Sequence, residues 1–370
     1  MEGSGVYEKV LEKTSLFLVT AAMTVSAPLM AWALEHDIVI LHTNDIHCGI
    51  NDNIGFAGLA QIKKDALART PNVALVDAGD AIQGAPIGKL SRGLAVVDIM
   101  NYLGYDFCIP GNHEFDYGMD RFLELVPLQR AGYYCANCLC SNNKQVLPGY
   151  KIMQYEDTKV AFVGASTPES LTTSTPTFFQ NEKGKYIYSF CEDKTGNKLY
   201  KQLQKNVDKA RKDGADYVFI VGHLGMDGTT PQWSSESVAK NTQGVDAVID
   251  GHSHERFTRM VKNKVGKDVL LAQTGTKLKT VGELVITPNG KLKSQLITES
   301  NDKDANIARV IAQEIKTYEP LLKQPVGEAL VQLRSNDPAT GGRIVRNREC
   351  SLGDFVADAY RAVLDCDVVW

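Results

Sequence analysis

Five short apolar runs in the first 250 residues each lead into the same kind of polar residue. They cover residues 38–41, 73–76, 107–109, 218–221 and 245–249. Runs of this length and composition read as buried strands. Between several of them lie segments with helical spacing. Phe56, Leu59, Ile62 and Leu67 form one set, and Leu94, Val97, Met100 and Leu103 a second, with Gly104 as its stop. Leu199, Leu203, Val207 and Ala210 form a third, ended by Gly214. Alternating strands and helices predict an α/β domain.

The residues after each run carry the chemistry. The first run is followed by Asp45-Ile46-His47, the second by Asp77-Ala78-Gly79-Asp80 and the third by Gly111-Asn112-His113-Glu114. The fourth leads into Gly222-His223 and the fifth into Gly251-His252-Ser253-His254. In open α/β sheets, binding groups collect beyond the carboxyl ends of the strands. The five runs therefore deliver Asp, Asn and His to one edge. The chain has seven histidines, and five of them lie in these segments. One strand-end histidine is commonly a structural residue, but five placed this way are hard to obtain by chance. Carboxylate, amide oxygen and imidazole without thiolate suit Zn, Mn, Fe or Co.

Asp45 and His47 are two residues apart, as are His252 and His254. On extended backbone such pairs point the same way, so each pair can reach one metal or two adjacent ones. Glycines at 79, 111, 222 and 251 precede candidate ligands and permit sharp turns there. Seven candidate ligands (Asp45, His47, Asp80, Asn112, His223, His252 and His254) are too many for one ion. They fit two ions sharing a carboxylate, with Asp80 expected as the bridge because it lies between the two ligand groups in sequence. Two such ions can activate a water and clamp an in-line displacement at phosphorus. His113 follows Asn112 and should point away from the metals, as an acid or a stabiliser of phosphoryl oxygens. Asp116 either orients that imidazole or caps a helix.

Together these strings resemble the calcineurin-like metallophosphoesterases. The blocks Thr43-Asn44-Asp45-Ile46-His47 and Asn112-His113-Glu114-Phe115-Asp116 are similar to the 5′-nucleotidase branch. That branch includes UDP-sugar hydrolases and 2′,3′-cyclic nucleotide phosphodiesterases. The likeness runs in order and spacing over residues 37–298. It implies a four-layer α/β/β/α sandwich and two divalent metal ions (Zn, Mn, Co or Fe). One ion would be held by Asp45, His47, Asp80 and His254, the other by Asp80, Asn112, His223 and His252. His113 and Asp116 would be the catalytic pair. Residues 269–273 and 282–287 would be strands of the second sheet.

The resemblance also implies a domain plan. Residues 34–300 would be the catalytic domain and 301–325 a linker helix. Residues 326–370 would begin a second α/β domain that binds substrate, because 352–361 resemble its first helix. Residues 365–370 read as the start of a strand, so a fragment of a longer protein is expected. The implied activity is hydrolysis of nucleoside 5′-monophosphates. Cleavage of UDP-sugars or 2′,3′-cyclic nucleotides on the same core is the alternative. Sulfur-ester hydrolysis and a non-catalytic surface binding protein are further readings; no lost ligand favours the last.

Residues 16–30 are mostly apolar, follow Lys9 and Lys13, and lead to Ala31-Trp32-Ala33. This is the layout of a cleaved export signal over residues 1–33, although Glu2, Glu8 and Glu12 offset the lysines. The alternative, an uncleaved anchor, needs ~20 apolar residues, and Thr20, Thr24, Ser26 and Pro28 interrupt this run. Export to a periplasm, a cell surface or the medium is the expectation, with no stable membrane span after cleavage. A formal net charge of −4 argues against a nucleic-acid polymer as partner. The eight cysteines read as small, half-buried strand residues, some of them paired, rather than as a zinc site. Residues 144–158 read as a hairpin turning at Pro148-Gly149. Residues 201–212 read as the solvated face of a helix. Residues 171–188 read as an insertion or as a surface loop that binds partners.

Overall fold

The computed structural model describes residues 34–364 and 366, apart from 227, 228, 301 and 346. The leader read at 1–33 lies outside these residues, as does all but Cys366 of the strand read at 365–370. The strands are β1 (Ile38–Thr43), β2 (Val73–Asp77), β3 (Phe107–Cys108), β4 (Leu139–Cys140), β5 (Tyr150–Tyr155), β6 (Thr158–Ser166), β7 (Tyr188–Ser189), β8 (Tyr217–His223), β9 (Ala247–Ile249), β10 (Arg256–Lys262), β11 (Asp268–Thr274), β12 (Val281–Ile286) and β13 (Leu292–Ile297). One sheet runs β13-β12-β1-β2-β3 and the other β10-β11-β9-β8-β6-β5; β4 and β7 form a small ribbon.

Side-chain alternation along the central strands sets the layers. Ile38 and Ile40 of β1 enter one core, while Val39 and Leu41 enter another. Phe219 and Val221 of β8 join the first of these, and Val218 and Ile220 join a third. The shared core lies between the sheets, where Phe107, Phe162 and Phe219 are fully buried. The outer face of the first sheet is covered by helices Gly55–Arg69, Leu94–Leu103 and Ala305–Leu322. The outer face of the second is covered by Asn197–Lys212 and Ser235–Asn241. This is the α/β/β/α sandwich that the resemblance implied. Strands buried on both faces need near-continuous apolar sequence, which is why the runs were legible. Strands β1, β2 and β3 are parallel, as are β6, β8 and β9. Their carboxyl ends therefore collect at one edge of each sheet.

Several expectations need correction. Residues 269–273 do join the second sheet, but β12, read at 282–287, pairs with β1 in the first. The hairpin of residues 144–158 is displaced: β5 and β6 pair directly, with the reversal after Tyr155, and Pro148-Gly149 precedes β5. Residues 171–188 are not a free loop, because Phe179 is fully buried in edge-to-face contact with Phe115 and Phe190. All eight cysteines are free, and Cys108, Cys135 and Cys138 are completely buried, more deeply than expected.

The helix Ala305–Leu322 is fixed at its start by the Asp304 carboxylate, which accepts from the N–H of Ile307 at 2.8 Å. Ile307 and Ile311 then anchor it to the first sheet's outer core. The helix Ser351–Leu364 buries no residue.

One packing detail is tightly determined. His42 of β1 is fully buried and lies opposite Gly282 of β12. Burial pushes its pKa down to about 3, so it is neutral. A Cβ at Gly282 would overlap the His42 ring. Gly282→Ala should therefore cost about 1–3 kcal/mol through overpacking. The readout is a lower urea midpoint at unchanged slope, and an unchanged midpoint would show that the ring has room to move.

Candidate metal centre

The loops that follow β1, β2, β3 and β9 turn abruptly, and most of the candidate ligands sit on those turns. Asp45, His47, Asp80, His252 and His254 all have positive φ, between 48° and 81°. Each such non-glycine residue costs on the order of 1–3 kcal/mol of backbone strain. The spacing argument from extended backbone therefore fails for Asp45 and His47 and for His252 and His254. Left-handed turns aim these side chains, and the second pair divides between two clusters. Gly79, at φ 87°, and Gly111 allow the β2 and β3 loops to touch. A Cβ on Gly111 would overlap the Asp80 carboxylate.

Two clusters result. Asp45, His47 and His254 form one, and Asp80, His223 and His252 form the other. In the first, His254 Nε2 lies 3.2 Å from Asp45 Oδ1 and 3.1 Å from His47 Nε2. In the second, His223 Nε2 lies 3.0 Å from Asp80 Oδ2. The same Asp80 oxygen is 3.8 Å from His47 Nε2. Asp80 thus faces both clusters, in the position expected of a bridge. Its other oxygen accepts the His113 N–H at 2.8 Å.

Hydrogen bonding tests whether cations fit here. His223 Nδ1 lies 2.7 Å from the Ala78 carbonyl, and His47 Nδ1 3.2 Å from that of Gln83. A carbonyl can only accept, so both rings carry the proton on Nδ1. In a neutral ring Nε2 then presents a lone pair to a carboxylate. Asp45 Oδ1, Asn112 Oδ1 and His223 Nε2 are buried without a hydrogen-bond partner. Lone pairs gathered without donors are costly unless a proton or a metal ion sits among them. The donor set fits divalent transition-metal ions. Burial opposes charge on His223, yet Asp80 and Asp45 push its pKa up to about 10. Burial likewise opposes ionisation of Asp80, but His223, His113 and His47 hold its carboxyl well below the usual range. Both shifts express the same demand for positive charge beside the carboxylates.

A second ring of residues fixes the first. Glu114 is buried and takes four backbone N–H groups. Its Oε2 accepts from Asp80 at 2.7 Å and Gly111 at 2.6 Å, and its Oε1 from Ala81 at 2.8 Å and Ile82 at 3.3 Å. Burial and neighbouring Asp80 raise its pKa to about 7 against those donors. Asn44 donates to Asp45 Oδ2 at 2.6 Å, and the His252 N–H reaches the same oxygen at 2.9 Å. Asp250 accepts the N–H of Leu224 at 2.9 Å, tying the β8 and β9 loops together. The sequence reading assigned no role to Glu114, Asn44 or Asp250. Glu114 follows directly on Asn112-His113, but nothing in sequence signals a carboxylate that binds only backbone.

His113 stands beside the first cluster, with its ring 5.3 Å from that of His47. Its Nδ1 is 2.7 Å from Asp116 Oδ2, and Ser174 donates to Asp116 Oδ1 at 3.3 Å. The Asp116 carboxylate is thus hydrogen-bonded to the imidazole, and neither the 3-10 turn before it nor the helix after it has a side-chain cap bond. A cavity of about 780 Å³ is walled by Arg92, Tyr117, Gly118 and Phe178 among others, and no candidate site residue lines it. Burial works to lower the His113 pKa, but the Asp116 hydrogen bond and the Asp80 charge raise it to about 9. In Asp116→Asn the raising contribution of the carboxylate is lost. The imidazolium should then lose its proton at lower pH than in the parent, by NMR titration of the His113 ring; an unmoved midpoint would remove Asp116 from this role.

Comparison with known proteins agrees with this geometry. The profile described as calcineurin-like phosphoesterase matches residues 38–256. The snake venom 5′-nucleotidase of Gloydius brevicauda is 27% identical, over 93% of this chain and 61% of its own length. The 5′-nucleotidase of Bos taurus is 26% identical, over 91% of this chain and 62% of its own. Among solved structures, a 5′-nucleotidase precursor from Thermus thermophilus superposes with a TM-score of 0.71 at 25% identity, covering 89% of this chain and 67% of that one. This chain thus spans about three fifths of the length of the two curated relatives. The family match covers β1 to the start of β10 and takes in every strand-end loop that carries the two clusters, and the chain belongs to the calcineurin-like phosphoesterase family.

Proposed function

We propose that this chain carries the catalytic part of an exported, dinuclear-metal phosphohydrolase acting on nucleoside 5′-monophosphates. The observation that supports it most is the Asp80 carboxylate, which faces both clusters beside a hydrogen-bonded His113, with Asp45 Oδ1, Asn112 Oδ1 and His223 Nε2 left unpartnered. The names of the relatives support the substrate class. Export rests on the leader reading of residues 1–33 and on the venom relative. Among the described residues no helix is long and apolar enough to cross a membrane.

In this reading Asp45, His47, Asp80 and His254 hold one ion. Asp80, Asn112, His223 and His252 hold the other. Two ions bound by these residues would supply Lewis acidity to the phosphoryl oxygens and to a water. The protein's own groups do the rest. Asp80 and Asp45 set the charge of the site, and Glu114 keeps the Asp80 loop from moving. Asp116 accepts from Nδ1 of His113, which leaves Nε2–H to stabilise a phosphoryl oxygen or to protonate the leaving alkoxide.

Residues 34–300 form the catalytic domain of this proposal and 301–325 the connecting helix. Residues 326–370 belong to a domain that binds the nucleoside, a role consistent with a helix that buries no residue of its own.

Phosphate release from AMP and from p-nitrophenyl phosphate tests the reading, with Mn or Zn and again after chelation. Metal-dependent release that chelation abolishes is the expected result; release that survives chelation would overturn it. Asp80→Ala should abolish activity on both esters, and retained activity would remove Asp80 as the bridge. His113→Ala should keep metal content near normal while turnover falls by ~10²–10⁴. Loss of metal in that variant would make His113 a ligand instead.

A further inference from the structure

His252 differs from His223 and His47 in how its ring is held. His223 and His47 each turn Nδ1 to a backbone carbonyl and leave Nε2 free. His252 does the reverse. Its Nε2 lies 2.8 Å from Oε2 of Glu169, a residue of the loop after β6. A carboxylate facing Nε2 places the ring proton there, which leaves Nδ1 as the nitrogen with a lone pair to offer. We propose that Glu169 is a positioning residue for the second ion of the centre, fixing the tautomer and ring direction of His252 so that Nδ1 is the ligating atom. The proposal rests on the dinuclear reading above.

The other oxygen of Glu169 is also committed. Oε1 accepts from the N–H of Thr230 at 2.6 Å and from its hydroxyl at 2.5 Å. Thr230 lies in the segment that follows His223. One carboxylate therefore joins three strand ends: its own after β6, the segment after β8, and the His252 loop after β9. It connects the two elements that carry His223 and His252, whose rings lie 5.1 Å apart. Glu169 and His252 are only 15% and 12% exposed, so water competes weakly for the hydrogen bond between them. A purely structural anchor for Thr230 would need one oxygen. The second is aimed at a candidate ligand and makes the carboxylate–histidine arrangement that fixes the orientation of a ligating imidazole.

The structure makes the role separable from general stability. Among its hydrogen bonds and ion pairs, Glu169 touches the His252 cluster and not Asp45, His47 or His254. Its loss should therefore weaken one ion and spare the other. The experiment is titration of the metal-free full chain with Zn²⁺ and with Co²⁺, read by calorimetry and by the cobalt visible spectrum. The chains are wild type, Glu169→Ala, Glu169→Gln and Thr230→Val. In Glu169→Ala, one of two ions should bind ~10–100-fold more weakly and the other within about twofold of wild type. Glu169→Gln, whose amide oxygen can still accept from Nε2–H, should recover part of that loss. Thr230→Val should cause a smaller loss at the same ion. Two ions bound with wild-type affinity by folded Glu169→Ala would overturn the proposal alone. So would equal weakening of both ions together with a lowered melting temperature, which is the mark of a structural role. A wild-type chain that binds fewer than two ions would overturn the proposal and the dinuclear reading together.

Discussion

Everything at the strand ends answers to one electrostatic constraint: Asp45 and Asp80 are buried carboxylates that face imidazole lone pairs with too few protons between them. Asp45 Oδ1, Asn112 Oδ1 and His223 Nε2 find no hydrogen-bond partner. Leaving such atoms unpaired out of water is expensive, by several kcal/mol for a charged group. A proton or a metal ion among them offsets that cost.

That constraint explains where the structure is strained and where it is rigid. Five of the seven candidate ligands sit in the left-handed region. Unsupported, those turns would relax and the lone pairs would drift toward water. Support comes from groups that bind backbone rather than metal. Glu114 takes four N–H groups of the β2 and β3 loops, and Asp250 holds the start of the β8 loop. Behind them lies an inter-sheet core of fully buried aromatic and branched residues. Each large side chain there contributes about 1.5–3 kcal/mol by leaving water.

The sequence made much of this legible, for physical reasons. Strands buried on both faces must be apolar throughout, so β1, β2, β3, β8 and β9 stood out. Ligands follow directly on such strands, so their positions were marked as well. β6 was not recognised, because residues 144–158 were read as a self-contained hairpin with its turn too early. Missing that strand end hid Glu169, which carries no motif of its own. Glu114 was seen and left without a role, since its partners are backbone N–H groups that only folding brings within reach. The pairing of β12 with β1 was equally invisible, because a strand's sequence does not name its sheet.

By itself, then, the sequence determined the type of layer, the edge at which polar residues gather and the chemistry of the ligand set. These depend on local composition and on periodicity along one strand or helix. Tertiary structure alone decided which ligands share a cluster, which oxygen of Asp80 faces both, and which nitrogen of each histidine is free. It also turned two i, i+2 pairs that would have been parallel on extended backbone into left-handed turns, one of them divided between the clusters. Those outcomes are set by contacts between loops tens to hundreds of residues apart, such as Asp45 with His252 and Glu169 with Thr230. Hydrogen-bond geometry of that kind exists only after the two sheets have packed.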